Sequence, residues 1–296
     1  MDIRFLRYFL AVVREENISK AAEYLHVTQP TLSRQIAQAE EEMGTKLFER
    51  GTRKVTLTHD GLLLRRRAEE ILELVDKTEQ ELVHRSAGLE GTVSIGCGDL
   101  GAVELLPELI RPFQEKHPHV RFELYTATAE HVKARMDRGL TDLGLLLGPL
   151  NLEKYEAVQV PSTEEWVVAM SADSPLTVKA SVSPEDLQPL PLILPSRIRE
   201  DSVLARWFGG LYPRLRILFT SNLPSTGLVM VSRGLACSLV IKGSVAYWDR
   251  EKIAFRPLEP ALTSPSFLAW KRHQPYAPAV EKFLQQVQAS YPLKNL

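Results

Sequence analysis

The sequence predicts an α/β protein that begins with an all-α winged helix-turn-helix and continues through one long linker helix. Three observations support this fold class. Short helical patterns fill the first 60 residues, a heptad spacing follows, and apolar strands alternate with helices from about residue 92. The length of 296 residues suits about two domains, because single hydrophobic cores stop growing near roughly 250–300 residues.

Composition excludes several classes of protein. A hydrophobic content of 44% and a charged content of 25% are ordinary for globular chains, which excludes wholesale disorder and fibrous repeats. No apolar run approaches the roughly 18 residues of a membrane span, and arginines interrupt the N-terminus where a signal peptide would be apolar. Cys97 and Cys237 form no CxxC pair, so neither a disulfide framework nor a zinc site is predicted, and a cytoplasmic location is expected.

The first three elements form a helix-turn-helix pattern. Apolar residues recur at helical spacing over about residues 2–15, and Asn17 or Ile18 opens a short second helix. Thr28 is a suitable N-cap for a third helix with proline in its first turn, and Gly44 is a suitable C-terminal stop. His26 occupies the turn position that often needs a left-handed backbone, which histidine tolerates better than most residues.

Polar side chains gather at the start of the third helix. Because its apolar residues face inward, Gln29, Thr31, Ser33 and Arg34 are left exposed. Glutamine can bond adenine, arginine can bond guanine through two hydrogen bonds, and serine or threonine serve either base. This pattern favours reading of DNA, although three helices packed for structure with a solvated polar face would also account for it.

A two-stranded wing is predicted at Leu47–Glu49 and Lys54–Thr58. Arg50, Arg53 and Lys54 place three positive charges on it with no acid between them. Because the net charge of the chain is −1, nucleic-acid binding has to depend on such a local patch. Specific affinity then needs two copies, each adding a few phosphate contacts.

The linker helix is predicted from Asp60 to about Gly88. Its apolar residues follow a 4-3-4-3-4 spacing, which is an a/d seam: Leu64, Ala68, Ile71, Val75, Thr78 and Leu82. The expected partner of this seam is a second copy of the chain. Packing on the neighbouring domain is the alternative.

Beyond residue 90 the pattern is typical of α/β domains. Strands are predicted at TVSIG, VRFELYT, TDLGLLLG, WVVAM, PLILP, LRILFT, ACSLVI and FLAWK. Near-continuous apolar strands separated by helices indicate mostly parallel sheets that are covered on both faces.

One motif in this region points to a different class of protein. The run Gly96-Cys97-Gly98-Asp99-Leu100-Gly101 matches G-x-G-x-x-G between a strand and a helix, which would suit an NAD(P)-binding oxidoreductase or a redox-sensing repressor. Against it, the next strand ends in Tyr125-Thr126, without an acid for the ribose. No metal site and no catalytic motif is predicted either, so neither a cofactor nor an enzymatic activity is expected.

The N-terminal residues resemble a known family. The stretch NISKAAEYLHVTQPTLSRQIAQAEEEMGTKLFERGTRKVTLTHDG is similar to the DNA-binding segment of LysR-type transcriptional regulators nearly position for position. The segments LLPELIRPFQEKHP, GLTDLGLLL, PLILPS and SRGLACSLV resemble the two-lobed periplasmic-binding-protein-like effector domain of that family. This resemblance implies a DNA-binding domain at 1–59, a dimerisation helix at 60–90 and an effector domain at 91–296. Lobe one would take about 92–161 plus 266–296, and lobe two about 162–265.

The resemblance also implies partners and sites. It implies a homodimer through the 60–90 helix, commonly a homotetramer, that binds double-stranded promoter DNA and a small-molecule effector held between the lobes. The residues expected to contact DNA are Thr28, Gln29, Pro30, Thr31, Ser33, Arg34, Arg50, Arg53 and Lys54. The residues expected to contact the effector are Gly98, Asp99, Leu100, Ser196, Arg197, Asn222 and Leu223.

Asp99 departs from the family pattern. Relatives that hold carboxylates often have a hydroxyl in this loop, and Asp99 would repel an anion unless Arg197 compensates. An anionic effector is therefore not predicted. Asp99 either contacts the effector or is a plain helix N-cap.

Overall fold

A computed structural model describes residues 1–50, 54–83, 89–150, 153–196 and 202–291. The chain divides into two compact units, Met1–Arg85 and Ser86–Leu296. The N-terminal unit contains, in order, α1 (Ile3–Glu15), α2 (Ile18–Tyr24), α3 (Gln29–Met43), β1 (Phe48–Arg50), β2 (Val55–Leu57) and α4 (His59–Val83).

Side-chain caps determine where the helices of the N-terminal unit begin. The Asn17 side chain accepts hydrogen bonds from the backbone N–H groups of Ser19 and Lys20, at 2.9 and 3.1 Å. Thr28 caps α3, and Gly44 ends that helix in the left-handed conformation with φ of 68°. These caps confirm the predicted helix starts and the predicted stop.

The core of the N-terminal unit lies between α1, α3 and the wing. Phe9 is completely buried, with its ring centroid 6.2 Å from that of Phe5 and 5.2 Å from that of Phe48. The first turns of α4 join this core, because Ala68 is fully buried and Leu64 packs against the same cluster. The expectation that a second copy covers the whole seam is therefore wrong for its first two positions, which bury against their own unit.

The C-terminal unit alternates strands and helices. Its elements are β3 (Gly91–Cys97), α5 (Leu106–Lys116), β4 (Val120–Thr126), α6 (Ala129–Asp137), β5 (Leu143–Leu147), β6 (Tyr155–Ser171), α7 (Pro184–Leu187), β7 (Pro191–Pro195), α8 (Val203–Phe208), β8 (Arg216–Ser221), α9 (Pro224–Ser232), β9 (Cys237–Ile241), β10 (Ile253–Pro257), β11 (Thr263–Lys271) and α10 (Pro278–Ser290). A 3-10 turn, Gly101–Leu105, leads directly into α5, and another spans Lys242–Val245.

The strands form one sheet in the order β4-β3-β5-β11-β6-β9-β7-β8, with β10 paired to β6. The pairs that involve β3 or β7 are parallel, whereas β6 and β11 pair antiparallel with each other and with their other neighbours. The expectation of mostly parallel strands is therefore wrong for the centre of the sheet. An apolar run shows that a strand is buried, but it does not show the direction of that strand.

The long strand β6 belongs to both ends of the sheet. Its first residues pair with β11, and its last residues pair with β9 and β10. Separate apolar clusters lie on the two sides, one around Phe113 and Phe283, whose ring centroids are 5.2 Å apart, and another around Leu192 and Leu204. Residues at the carboxyl ends of β3, β5, β7 and β8 line one cavity, at the edge where ligands bind in open α/β sheets.

Candidate DNA-contacting surface and effector cavity

The turn between α2 and α3 has the close packing that a helix-turn-helix needs. Ala21 and Ala22 are buried where the helices approach, and the Val27 N–H donates to the Ala22 carbonyl at 3.0 Å. His26 has φ of 53°, the left-handed conformation expected at this turn. The turn therefore fixes the direction in which α3 leaves the core.

The start of α3 is presented to solvent. Leu32 is fully buried and Ile36 nearly so, which directs the opposite face outward. On that face Gln29 and Arg34 are exposed and form no hydrogen bond with another described residue. The remaining predicted positions near this end are exposed or partly exposed: Thr28, Pro30, Thr31 and Ser33.

The hydroxyls of Thr28 and Thr31 are already engaged. Their Oγ1 atoms lie 2.8 Å apart, and Thr28 Oγ1 also accepts from the Thr31 N–H at 3.4 Å. These hydroxyls hold the first turn of α3 together. Gln29 and Arg34 are therefore the side chains most available to a duplex.

A buried carboxylate connects α3 to the wing. Glu40 is 6% exposed, and its oxygens accept from the N–H groups of Leu47 and Phe48 at 2.9 and 3.3 Å and from Lys46 Nζ at 2.7 Å. Burial opposes ionisation, but the hydrogen bonds from Lys46, Leu47 and Phe48 outweigh it and lower the pKa of Glu40 below its ordinary value. We call this arrangement the Glu40 clamp.

The positive charge of the wing is less free than the sequence indicated. Lys54 Nζ pairs with the Glu16 carboxylate, and the Val55 N–H donates to the Glu16 carbonyl at 3.0 Å. Arg53 and the side chain of Arg50 lie outside the described residues. Lys54 therefore anchors the wing to the end of α1, and Glu16 offsets its charge.

A cavity of about 240 Å³ opens at the carboxyl ends of the strands in the C-terminal unit. Its lining is mostly apolar, with a few polar side chains and loops from both sides of the sheet: Gly98, Asp99, Leu100, Ala127, Thr128, Ala129, Leu145, Leu146, Leu147, Trp166, Ile193, Leu194, Pro195, Ser221, Asn222, Leu223, Pro224, Ser238, Leu239, Val240 and Ile241. An apolar cavity with few polar groups is typical of small-molecule sites.

The hydroxyl groups of the cavity have partners within the protein. Thr128 Oγ1 lies 2.7 Å from His131 Nδ1, Ser221 Oγ donates to the Leu223 carbonyl at 2.5 Å, and Ser238 Oγ donates to the Ile193 carbonyl at 3.3 Å. These bonds hold the loops in place at the cavity wall.

Asp99 does not cap a helix. The N-cap of the 3-10 turn is Leu100, without a side-chain hydrogen bond, so the N-cap alternative for Asp99 is wrong. Burial raises the pKa of Asp99, since no hydrogen-bond donor or cation among the described residues compensates for the lost water. Asp99 thus contributes to the cavity a half-buried carboxyl group that has no partner among the residues that the structure describes.

Glu164 of β6 takes the place at the helix start that an N-cap would fill. It is 3% exposed, and its two oxygens accept from the N–H groups of Gly101 at 3.1 Å and Ala102 at 2.7 Å. Ser266 Oγ donates to the same carboxylate at 3.4 Å. We call this group the Glu164 cap.

The Glu164 cap is also inconsistent with a dinucleotide site at the G-x-G-x-x-G run. In a G-x-G-x-x-G fingerprint the amides at the helix start bind the pyrophosphate. Here Glu164 occupies those amides. A Cβ atom at Gly96 would lie 2.6 Å from Val132 Cγ1, so that glycine serves close packing instead of ligand approach.

Most of the predicted effector residues line the same cavity. Gly98, Asp99, Leu100, Asn222 and Leu223 all line it. The structure does not bring Ser196 to the lining: its side chain is exposed, and its N–H donates to the Ser221 carbonyl at 2.8 Å. Arg197 lies outside the described residues.

Sequence reasoning missed several lining residues. Thr128 follows β4 and caps α6, so an inspection of polar residues at strand ends would have found it. Trp166 and Ser238 lie within β6 and β9, where the sequence shows only buried strand residues. Pattern alone does not distinguish such residues from core.

The described residues contain no group of three His, Cys, Asp or Glu side chains placed to hold a metal ion. In the same part of the chain, no helix combines the length and apolar character that a membrane crossing requires.

Comparison with family models matches the two units separately. Residues 3–62 match the bacterial regulatory helix-turn-helix proteins of the lysR family, and residues 86–292 match the LysR substrate binding domain. The chain belongs to the LysR family. The predicted LysR type, a DNA-binding transcriptional regulator with an effector domain and without enzymatic activity, is confirmed at the level of the family.

Individual relatives agree with this assignment. The transcriptional regulator AlsR of Bacillus subtilis is 34% identical over 194 residues, which are 65% of this chain and 64% of AlsR. The Hca operon transcriptional activator HcaR of Escherichia coli is 27% identical over 292 residues, covering 97% of each chain.

Solved structures show the same fold. The crystal structure of CbnR, a LysR family transcriptional regulator, is 24% identical with a TM-score of 0.74, covering 98% of this chain and 99% of CbnR. Full-length BenM is 27% identical with a TM-score of 0.51, covering 98% of this chain and 97% of BenM. The winged helix-turn-helix, long helix and α/β unit are thus the architecture of full-length LysR regulators.

Proposed function

We propose that this chain regulates transcription by binding promoter DNA through α3 and the wing, and that a small molecule in the cavity modulates this binding. The observation that carries the proposal is the start of α3, where the side chains of Gln29 and Arg34 are exposed and have no partner among the described residues, on a helix fixed by a buried core. The predicted contacts Thr28, Pro30, Thr31, Ser33, Arg50, Arg53 and Lys54 surround them. CbnR, which shares the fold, has been crystallised with its target DNA.

The test is the replacement of Arg34 by alanine. The specific duplex would be one that the wild-type protein selects from a pool of random sequences. The affinity of each variant for this duplex and for random DNA would be measured by fluorescence anisotropy at fixed salt. Loss of a side chain that bonds a base edge is expected to weaken specific binding by about 10- to 100-fold, and random DNA much less.

Arg34→Lys is the matched control, because it keeps the charge and removes the planar pair of donors. A side chain that reads a base would not be rescued by lysine. Equal losses on selected and random DNA would mean that Arg34 contacts only phosphate, and would contradict the reading role.

We propose further that two copies associate through α4. Beyond the turns that pack on its own unit, this helix exposes large apolar side chains, including Ile71 and Leu74, which are 36% and 42% exposed, and Leu82. Contiguous exposed apolar surface is typical of association sites, and a two-fold pair suits the two half-sites of a promoter. The exposed apolar edge strand β8, with Ile217 and Phe219, supports a second contact and thus a tetramer.

Leu74→Glu is expected to shift the protein toward monomer, because the new charge would be buried in the helix pair. The dimer dissociation constant, measured by sedimentation, should rise at least about tenfold, or about 1.4 kcal/mol. Val178→Glu, which adds the same charge at an exposed apolar residue of the C-terminal unit, should leave it unchanged. An unchanged constant for Leu74→Glu would exclude this part of α4 from the interface.

The effector is proposed to act by changing the relative orientation of the two sides of the cavity, and so the geometry of the bound copies. A cytoplasmic location remains a prediction from the sequence, in keeping with two free, buried cysteines.

A further inference from the structure

The described lining of the cavity carries an unbalanced charge. Among its described lining residues, Asp99 is the only one with an ionisable side chain. It has no hydrogen-bond donor or cation as a partner within the described chain. A half-buried carboxylate in an apolar wall is costly unless a partner arrives. A ligand group that completes this described lining is therefore a hydrogen-bond donor, preferably a charged one.

The amides at the helix start that follows Asp99 are already occupied. The Glu164 cap uses the N–H groups of Gly101 and Ala102. A Cβ atom at Gly101 would lie 3.1 Å from Glu164 Oε2 and 3.5 Å from Gly243 Cα, so these two residues fill the space beside Gly101. The helix start nearest Asp99 thus carries a carboxylate of its own.

The start of α9 favours an anion, but its positive charge is smaller than the negative charge of an ionised Asp99. α9 begins at Leu223 and Pro224 in the cavity wall, without a side-chain cap. The start of a helix is equivalent to about half a positive charge. The full negative charge of an ionised Asp99 outweighs it.

The rest of the lining specifies the body of the ligand. Trp166, Leu146 and Ile193 offer an aromatic and aliphatic surface, and the hydroxyls of Thr128 and Ser221 already have partners. Such a surface stabilises an apolar molecule through burial and gives it few hydrogen bonds. An apolar body with one polar group suits the cavity.

We propose that the effector of this chain is an apolar amine whose protonated nitrogen binds the Asp99 carboxylate, and that the cavity selects against carboxylates. The proposal rests on the cavity being the effector site. An ammonium supplies the charged donors that Asp99 lacks, and a charge-assisted hydrogen bond of this kind is stronger than a neutral one.

The experiment compares three probes that share a phenyl ring and a two-carbon chain and end in a positive, a neutral or a negative group: 2-phenylethylammonium, 2-phenylethanol and phenylacetate. Binding to the full-length protein would be measured by isothermal titration calorimetry at neutral pH. The ammonium is expected to bind at least about tenfold more tightly than phenylacetate, with the alcohol between them.

Asp99→Asn removes the charge at nearly constant volume. It should weaken ammonium binding at least about tenfold and leave the alcohol within about twofold. Asp173→Asn, which removes the same charge from an exposed aspartate outside the lining, should change none of the three affinities.

Tighter binding of phenylacetate than of the ammonium by the wild-type chain would overturn the proposal. If Arg197→Gln then abolished that preference, Arg197 would be the selecting residue. Failure of all three probes to bind at 10 mM, about the weak limit for fragments of this size, would overturn the cavity as the effector site. DNA binding, measured by titrating the same protein preparations with a duplex, tests the proposed regulator function independently of the cavity.

Discussion

Replacement of Gly243 by alanine is expected to destabilise the C-terminal unit by roughly 3 kcal/mol or more. A Cβ atom at this position would lie 2.1 Å from the Gly101 nitrogen and 2.3 Å from the Gly101 Cα. Both are backbone atoms, so no side chain can move aside. The loop that carries Asp99 would have to shift, and cavity binding should be lost as well.

Urea unfolding monitored by tryptophan fluorescence would measure the effect of Gly243→Ala, because Trp166, Trp207, Trp248 and Trp270 all belong to the C-terminal unit. Gly210→Ala is the matched control, since a Cβ atom there meets nothing within 4 Å. It should change stability by no more than about 0.5 kcal/mol. Equal urea midpoints for the two variants would contradict the prediction. They would show that the backbone at Gly101 and Gly243 moves apart without loss of stability.

Phe9→Ala is expected to cost the N-terminal unit about 3–5 kcal/mol, because it empties the centre of a small core. Phe9 is fully buried against Phe5 and Phe48. Since Phe48 begins the wing, the vacancy would loosen the wing as well as α1. Specific DNA binding should fall with the folded fraction.

Hydrogen exchange of the α1 and α3 amides would measure the effect of Phe9→Ala within the N-terminal unit. Ile3→Ala lies on the same helix at a position 40% exposed, and should cost no more than about 0.5 kcal/mol. Full protection of α1 in Phe9→Ala would contradict the central position assigned to this ring.

The helix boundaries of the N-terminal unit could be predicted because they depend on local contacts. Asn17, Thr28 and Gly44 each act within a few residues of their own helix ends, so caps and stops can be read directly from the sequence. Five of the predicted effector residues also follow strand ends closely, and the topology of the sheet brings them to one cavity.

Contacts between distant residues could not be predicted in this way. Glu164 reaches amides 62 and 63 positions earlier in the chain, and Lys54 pairs with Glu16 across 38 positions. A charge pattern cannot show which acid fills a helix start or neutralises a wing lysine. The antiparallel direction of the central strands could not be predicted for a related reason. Strand direction depends on how the strands are connected and not on their composition.

The Glu40 clamp affects the free energy of the proposed DNA binding. One carboxylate binds the backbone at Leu47 and Phe48 and projects from α3, so the helix and the base of the wing are held in a single arrangement. The conformational entropy of aligning them is lost when the chain folds. In the proposed function a duplex therefore meets a preorganised surface, and little binding free energy is lost in ordering α3 and the wing.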